Sequence, residues 1–375
     1  MFSFSELNLP LGYYIGLAFI FGLAIGSFLN VVIHRVPLGH PITLPASHCP
    51  HCQHKLPPYD NIPLLSFVLL RGRCRHCQER IAWRYPLVEL LTALLFAVIV
   101  WHTGAEWWAV PQMAFGATML ALIFIDAQHQ LLPDVITYPA FVAVLATRAL
   151  HSGWHIASQP NLEMFDLPRR FGNDFMIGHA VLYGALMLAL AAPAFVLLDW
   201  LDALLFDRFF VFEEEATDTG EPTETTEDEL HTRRERARQR VIKAALLFGI
   251  SLAALWGWLL YRGAPTHPLV YEQAYHALQD AWIGVLVGAG SIWFLRALYF
   301  LLRRVEGMGL GDVKMMAVVG GFLGWYGAFG VLLYGSILGA IAGLIIARFS
   351  KDGFDTALPF GVCLGAIAIL AMLLG

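Results

Sequence analysis

Charge is what this chain has least of. Of its 375 residues, 14% are Asp, Glu, Lys or Arg, against about 25% in an ordinary soluble domain. That scarcity excludes a soluble enzyme of this length, a disordered chain and a nucleic-acid binder with a basic face. Cysteine is scarce too. Of the five in the chain, four fall in two close pairs, Cys49/Cys52 and Cys74/Cys77, and Cys363 sits alone in an apolar run, which is not the pattern of a disulfide framework. No Lys or Arg precedes the first apolar run, Leu11 to Ile33, and the run is too long for the core of a cleavable signal peptide. There is no strand–GxGxxG–helix unit, which excludes a Rossmann cofactor site. No internal repeat is evident.

Apolar sequence is what the chain has in abundance: 58% of residues are hydrophobic and the mean hydropathy is +0.61. The class is an all-α polytopic membrane protein. A spanning helix needs about 20 apolar residues. That criterion predicts spans near 12–33, 85–103, 107–126, 134–149, 177–198, 241–261, 281–302, 314–326, 328–347 and 357–374, about ten in all. The run 314–347 is too long for one helix, and the turn from Gly324 to Gly330 divides it, leaving a short first half. Loop charge sets the orientation. With the N-terminus outside, 18 basic residues fall in inside segments and 4, counting Arg148 at the end of its span, on the outside. Two soluble pieces then face the cytoplasm, residues 34–84 and 199–240. In the second, nine acidic and no basic residues lie between Glu213 and Glu229, so that stretch is expected to be disordered. It accounts for most of the net charge of −5. The expected organisation is a first span (1–33), a cytoplasmic knuckle domain (34–84), spans (85–148), an insertion with two spans and the acidic loop (149–270), and closing spans (271–375).

Two patterns carry chemistry. Cys49-Pro-His-Cys52 and Cys74-Arg-His-Cys77 each present two thiols on a tight turn, and two such knuckles close a tetrahedron around a structural zinc ion. Free thiols or two disulfides are the alternatives, and a cytoplasmic disulfide is disfavoured. The second pattern is acid at membrane edges, where charge is costly. Asp126 ends the third predicted span and Asp312 follows Gly309-Leu310-Gly311 at the eighth, at the same cytoplasmic depth. Paired carboxylates suit an aspartyl protease, one taking a proton from water and the other polarising the scissile carbonyl. Gly309 and Gly311 would let a substrate strand approach. Aspartates at helix ends also serve as caps, and Asp134, after Pro133, could simply start a helix. Asn30, Arg35, Glu89 and Lys314 are polar groups near the same edge. Each could touch substrate or cofactor, join two helices or bind lipid phosphate. A membrane scaffold or transporter with a zinc-knuckle regulatory domain is the rival from another class.

Together these stretches resemble the type IV prepilin peptidases, the prepilin leader peptidase/N-methyltransferases. Gly26-Ser27-Phe28-Leu29-Asn30-Val31-Val32-Ile33-His34-Arg35-Val36-Pro37 looks like the family's N-terminal motif, and the CxxC knuckles like its cytoplasmic domain. Ile125 to Asp134 resembles its first aspartate motif. Gly309-Leu310-Gly311-Asp312-Val313-Lys314 resembles its second, the GxGD signature of intramembrane aspartyl proteases. Leu358-Pro359-Phe360-Gly361 is similar to a C-terminal feature. The resemblance implies an eight-helix core with a two-helix insertion, in the bacterial inner membrane. It implies cleavage of the basic leader from prepilins and pilin-like type II secretion subunits, with Asp126 and Asp312 as catalysts. It also implies N-methylation of the product using S-adenosylmethionine, at a site that must be non-Rossmann. Where the family often has a second acid two residues after the first catalytic one, this chain has Gln128.

Overall fold

The computed structural model describes residues 9–43, 47–157, 194, 197–199, 268–303, 308–349 and 359–374. Among these the chain is helical, with two isolated bridges and no strands. The expected spans 177–198 and 241–261, and the acidic loop, lie outside the described residues apart from a few positions. The helices are α1 (Leu11–Arg35), a short α2 (Leu65–Leu69), α3 (Arg84–Thr103), α4 (Ala109–His129), α5 (Asp134–Ala157), α6 (Pro268–Arg303), α7 (Leu310–Phe349) and α8 (Phe360–Leu374). Five stretches are long and apolar enough to cross a membrane: Leu11–Arg35, Arg84–Thr103, Ala109–His129, His276–Arg303 and Leu310–Arg348. Large apolar side chains such as Phe21, Trp101, Leu286 and Tyr334 face outward on these helices, as a hydrocarbon solvent requires. The protein is a multi-pass membrane protein.

The ends of the helices follow local chemistry. α1 starts after Pro10, whose fixed φ suits a helix entry. α3 stops at Gly104, which takes a positive φ of 73° and returns its N–H to the Val100 carbonyl. α4 ends one turn past Asp126, at a left-handed Gln130 whose N–H bonds the Asp126 carbonyl at 2.9 Å. α7 breaks where the glycine-rich turn was expected to divide it. Gly324 has φ 72° and ψ −174°, and a Cβ there would overlap the Asp280 carboxylate, so both the conformation and the space call for glycine. The helix before it holds about 14 residues, roughly 21 Å, which is short of a ~30 Å hydrocarbon core.

The chain forms two compact units, residues 1–133 with 330–375, and residues 134–329. In the first, α1 lies against α3 so closely that a Cβ at Gly22 would sit 2.6 Å from Ala93 Cα, and one at Gly26 2.6 Å from Glu89 Cα. The spacing Gly22-Leu-Ala-Ile-Gly26 is the small-residue motif that lets membrane helices touch backbone to backbone. Phe96, Ile99, Met119, Leu122 and Ile125 fill the core between α3 and α4, and α8 packs on α4. In the second unit, α5 packs on α6, and α6 meets α7 at Gly284 and Gly320; a Cβ on either would overlap the other's carbonyl oxygen. Gly288 is also a packing position, its Cβ site 2.8 Å from the Met316 carbonyl oxygen.

Candidate functional sites: a four-cysteine cluster and buried acids

The segment between α1 and α3 is built from two copies of one small turn. In the first, Cys49 N–H bonds the His54 carbonyl and Gln53 N–H bonds the Cys49 carbonyl; in the second, Cys74 N–H bonds the Glu79 carbonyl and Gln78 N–H bonds the Cys74 carbonyl. Gln53 and Gln78 both take left-handed φ values, 57° and 58°. Each turn is closed by a bridge, His48 with Lys55 and Arg73 with Arg80. This is a repeat too short for sequence periodicity to show. Arg75 straps the second turn to the short 3-10 helix at Pro58–Asn61 through two hydrogen bonds from Nε and one from Nη2 to the Asp60 carboxylate. That bond to Arg75 holds the Asp60 carboxyl below its ordinary range.

The two turns bring Cys49, Cys52, Cys74 and Cys77 together, with ligand atoms all within 4.8 Å of one another. Cys49 Sγ and Cys77 Sγ are 3.8 Å apart. That is far beyond a disulfide, and it is the edge of a tetrahedron with bonds of about 2.3 Å, the zinc–thiolate length. All four cysteines are free thiols. The backbone N–H groups of Cys77 and His76 point at Cys74 and bring its thiol down to about 7, while Cys77, crowded by the other thiols, is pushed up to about 12, so one thiol of the pair ionises ahead of the other. The donor set fits a metal ion, and four thiolates leave no open coordination position. His54 and His76 stack on each other with ring centroids 3.5 Å apart and are not part of the cluster.

Above this segment, three of the polar residues singled out in the sequence surround one space. Asn30 (3% exposed) donates from Nδ2 to the carbonyls of Gly26 at 3.3 Å and Tyr85 at 3.0 Å. Arg35 donates from Nη1 to the carbonyls of Pro41 and Ile42, both at 3.2 Å. Buried Glu89 accepts the Leu64 N–H at 2.8 Å, and Leu64 itself has φ 57°. Asp126 lies elsewhere in the same unit. It is buried in the last turn of α4, and its Oδ2 accepts the Val362 N–H at 3.1 Å, from the first turn of α8. The helix N-terminus is a natural home for a carboxylate. The Pro359-Phe360-Gly361 stretch thereby acquires a physical task, since Pro359 leads into the helix that meets Asp126.

The second unit holds Asp312 and Lys314. Asp312 is buried in the first turn of α7. The loop before it is held by Arg296, a buried arginine within α6 whose Nε donates to the Met308 carbonyl at 2.8 Å. Among the described residues, a Cβ at Gly309 would meet nothing closer than the Gly311 nitrogen at 3.9 Å. Lys314 lies between two acids, 2.7 Å from Asp134 Oδ1 and 2.7 Å from Asp199 Oδ1. Tyr138 donates to Asp199 Oδ2 at 2.5 Å. Asp134 is the first residue of α5, as the preceding proline suggested, and it is also an ion-pair partner. Asp199, Arg296 and Tyr138 were not singled out from the sequence. An acid at the end of an apolar stretch was the only signal for Asp199, and nothing marked Tyr138.

Apolar helices, a tetrathiol cluster in a soluble segment and acids buried at helix ends define a multi-pass membrane protein with the parts of an intramembrane aspartyl enzyme. Residues 20–103 match the Bacterial Peptidase A24 N-terminal domain and residues 238–344 match the Type IV leader peptidase family. Both matched stretches thus resemble the same family of membrane peptidases. It is similar to proteins named prepilin leader peptidase/N-methyltransferase. The one from Pseudomonas putida is 29% identical over 385 residues, covering 97% of this chain and 91% of that protein. Those from Stutzerimonas stutzeri (26%; 96% and 90% covered) and Pseudomonas aeruginosa (27%; 94% and 88%) are comparable. No solved structure matches the chain significantly.

Proposed function

We propose that this protein is an inner-membrane aspartyl endopeptidase that removes the leader peptide from type IV prepilins and pilin-like type II secretion subunits. It then methylates the new N-terminus with S-adenosylmethionine. The family resemblance supports the reaction class and weighs against a scaffold or transporter. One observation carries the residue assignment: Asp126 and Asp312, the acids of the two sequence motifs that lie buried at helix ends, have the surroundings a proteolytic carboxylate needs. Asp126 is held by a main-chain N–H and pairs with no cation among the described residues, and Asp312 follows a glycine loop that nothing among the described residues crowds at Gly309.

In this reading one carboxylate, ionised, takes a proton from water while the water oxygen attacks the scissile carbonyl. The other, protonated, donates a hydrogen bond to the carbonyl oxygen. When the tetrahedral intermediate collapses, the proton passes to the leaving amine. The pair titrates as a unit, so neither residue is given a fixed role. Cys49, Cys52, Cys74 and Cys77 hold a structural zinc. The bias of basic residues supports a cytoplasmic position for the zinc segment and both aspartates. The domain limits proposed are 1–33, 34–84, 85–148, an inserted 149–270 and 271–375.

The test is cleavage of a purified prepilin by reconstituted protein. Asp126→Asn and Asp312→Asn should each lower the rate at least about 1,000-fold while the protein still inserts, in line with the loss of a group acting in the transition state. Full processing by either variant would refute the dyad.

A further inference from the structure

The segment between α1 and α3 is rich in polar residues, yet one edge of it is as apolar as a membrane span. From Ile62 to Leu70 the chain reads Ile62-Pro63-Leu64-Leu65-Ser66-Phe67-Val68-Leu69-Leu70, without a charge. Within this stretch α2 presents the wrong face to water. Ser66 is the buried residue, and its Oγ accepts the Ile62 N–H at 3.0 Å and donates to the Tyr59 carbonyl at 2.9 Å. Leu65, Val68 and Leu69, at the i, i+3, i+4 spacing of one helix face, are 51%, 69% and 71% exposed. A helix on the surface of a soluble domain does the reverse.

Its depth follows from what it touches. α3 has 20 residues, which at about 1.5 Å each match a hydrocarbon core of about 30 Å and put its first residue, Arg84, near the boundary. Glu89 is roughly 7 Å further along the axis, and its Oε2 accepts the N–H of Leu64, the residue before α2, at 2.8 Å. Leu64 holds a left-handed φ of 57° there, a strain that persists only where the surroundings fix it. Phe67 packs on Trp83 with ring centroids 5.0 Å apart, and Trp83, immediately before α3, is 77% exposed. Leu87, Leu90, Leu91 and Leu94 carry the exposed stripe along α3 at helical spacing, so the apolar surface of the span continues onto α2.

The charge beside this edge is mostly of one sign. Arg71, Arg73 and Arg80 are exposed around the second knuckle, and Glu79 is the only acid between residues 61 and 83. Arginines next to a membrane are drawn to anionic headgroups. An exposed apolar helix face with basic neighbours is the pattern of a segment lying in the interface, sunk about 5–10 Å past the headgroup boundary. The bond from Leu64 to Glu89 sets α2 at that depth.

We propose that residues 62–70 form an interfacial wedge, with Leu65, Val68, Leu69 and Trp83 among the upper acyl chains and Arg71, Arg73 and Arg80 on the phosphates of anionic lipid. The bilayer surface thereby seats the four-cysteine segment, which is held at the membrane by contact as well as by its covalent links to α1 and α3. The wedge does not depend on which reaction the protein performs.

The test uses the full-length, zinc-loaded protein in vesicles of phosphatidylethanolamine and phosphatidylglycerol. The vesicles include a phospholipid with a photoactivatable diazirine in the upper part of its acyl chain. Mass spectrometry should find the label on peptides from 62–70 as well as on the spans, and not on the knuckle peptides 47–56 and 74–81. Combined Val68→Glu and Leu69→Glu should lower the label on 62–70 about ten-fold or more, because burying two such side chains is worth more than one decade. The spans should keep their label and the zinc content should not change. In vesicles of phosphatidylcholine alone the label on 62–70 should fall while that on the spans stays, and an equal label would overturn the part given to the arginines. Labelling of 62–70 by a water-borne carbene source, with none from the lipid, would overturn the wedge. So would cross-links from 62–70 to a second copy of the chain in place of the lipid label. The wild-type labelling decides the matter even where the double variant misfolds.

Discussion

The two units hold several of their acids in opposite ways. In the first, Glu89 and Asp126 receive main-chain N–H groups, from Leu64 and Val362, and neither pairs with a cation among the described residues. In the second, Asp134 and Asp199 share Lys314, Asp280 pairs with Arg148 at 2.7 Å, and Tyr138 adds its hydroxyl to Asp199. The difference is one of freedom. A carboxylate fixed by backbone amides can gain or lose a proton without stranding a partner charge. A carboxylate tied to a buried cation cannot, because each ion compensates the desolvation of the other. The first arrangement suits chemistry and the second suits architecture. The soluble segment of the first unit adds a third device, thiols gathered for a metal.

The largest expected effect separates the metal from the ion pairs. Cys74→Ser combined with Cys77→Ser should reduce bound zinc from about one per chain to near zero by elemental analysis. Residues 47–81 should become open to protease, since structural zinc contributes on the order of 10–16 kcal/mol to small metal domains. Hydrogen exchange within α6 should be unchanged; if it rises as well, the two units are not held independently. Next is Lys314→Met, which leaves Asp134 and Asp199 without their cation. A loss of about 3–5 kcal/mol is expected for breaking a buried pair, read as a lower unfolding temperature in detergent. Adding Asp134→Asn and Asp199→Asn should recover part of it, and no recovery would mean that the cation is not what these acids need.

Glu89→Gln is expected to cost only about 1 kcal/mol, because an amide oxygen can still accept the Leu64 N–H. A loss as large as that of Lys314→Met would break the distinction between the two units. The smallest effect is at Asp60. Its carboxyl is held low by Arg75, so its stabilisation is complete above the ordinary value of 3.8 and is lost as pH falls through the lower folded value. The wild type should therefore be modestly more stable than Asp60→Asn above about pH 4, modestly because the Arg75 side of the pair is exposed, and the two should converge in acid titration of the zinc-loaded segment as pH falls through the lower folded value.

Much of this was legible beforehand because it depends on local chemistry. Apolar runs marked out α1, α3, α4, α6 and α7, and a glycine cluster located the break at Gly324. The CxxC spacing assembled four sulfurs without knowledge of the rest of the fold. Pro133 made Asp134 a helix start. Other features are pairings between distant positions. Val362 meets Asp126 across 236 residues of chain and Lys314 meets Asp134 across 180. Apolar helices carry no sequence clue to which neighbours they choose. Arg296, which nothing in the sequence singled out, holds the loop before Asp312. Asn30, Arg35 and Glu89, three separate polar residues in sequence, line one cavity.

By itself the sequence determined the class of solvent, the helices, the metal ligands and the identity of the two candidate catalytic acids. The first three follow from composition, periodicity and spacing within about 25 residues, which hold whatever the chain packs against; the two acids are pointed to by the family resemblance. Only the tertiary structure decided which acids are neutralised by cations and which are held by backbone, and that a space exists between the knuckles and α1 and α3. Both depend on helices brought together across the chain, where small residues such as Gly22 and Gly26 let backbones touch and thereby choose which polar groups meet.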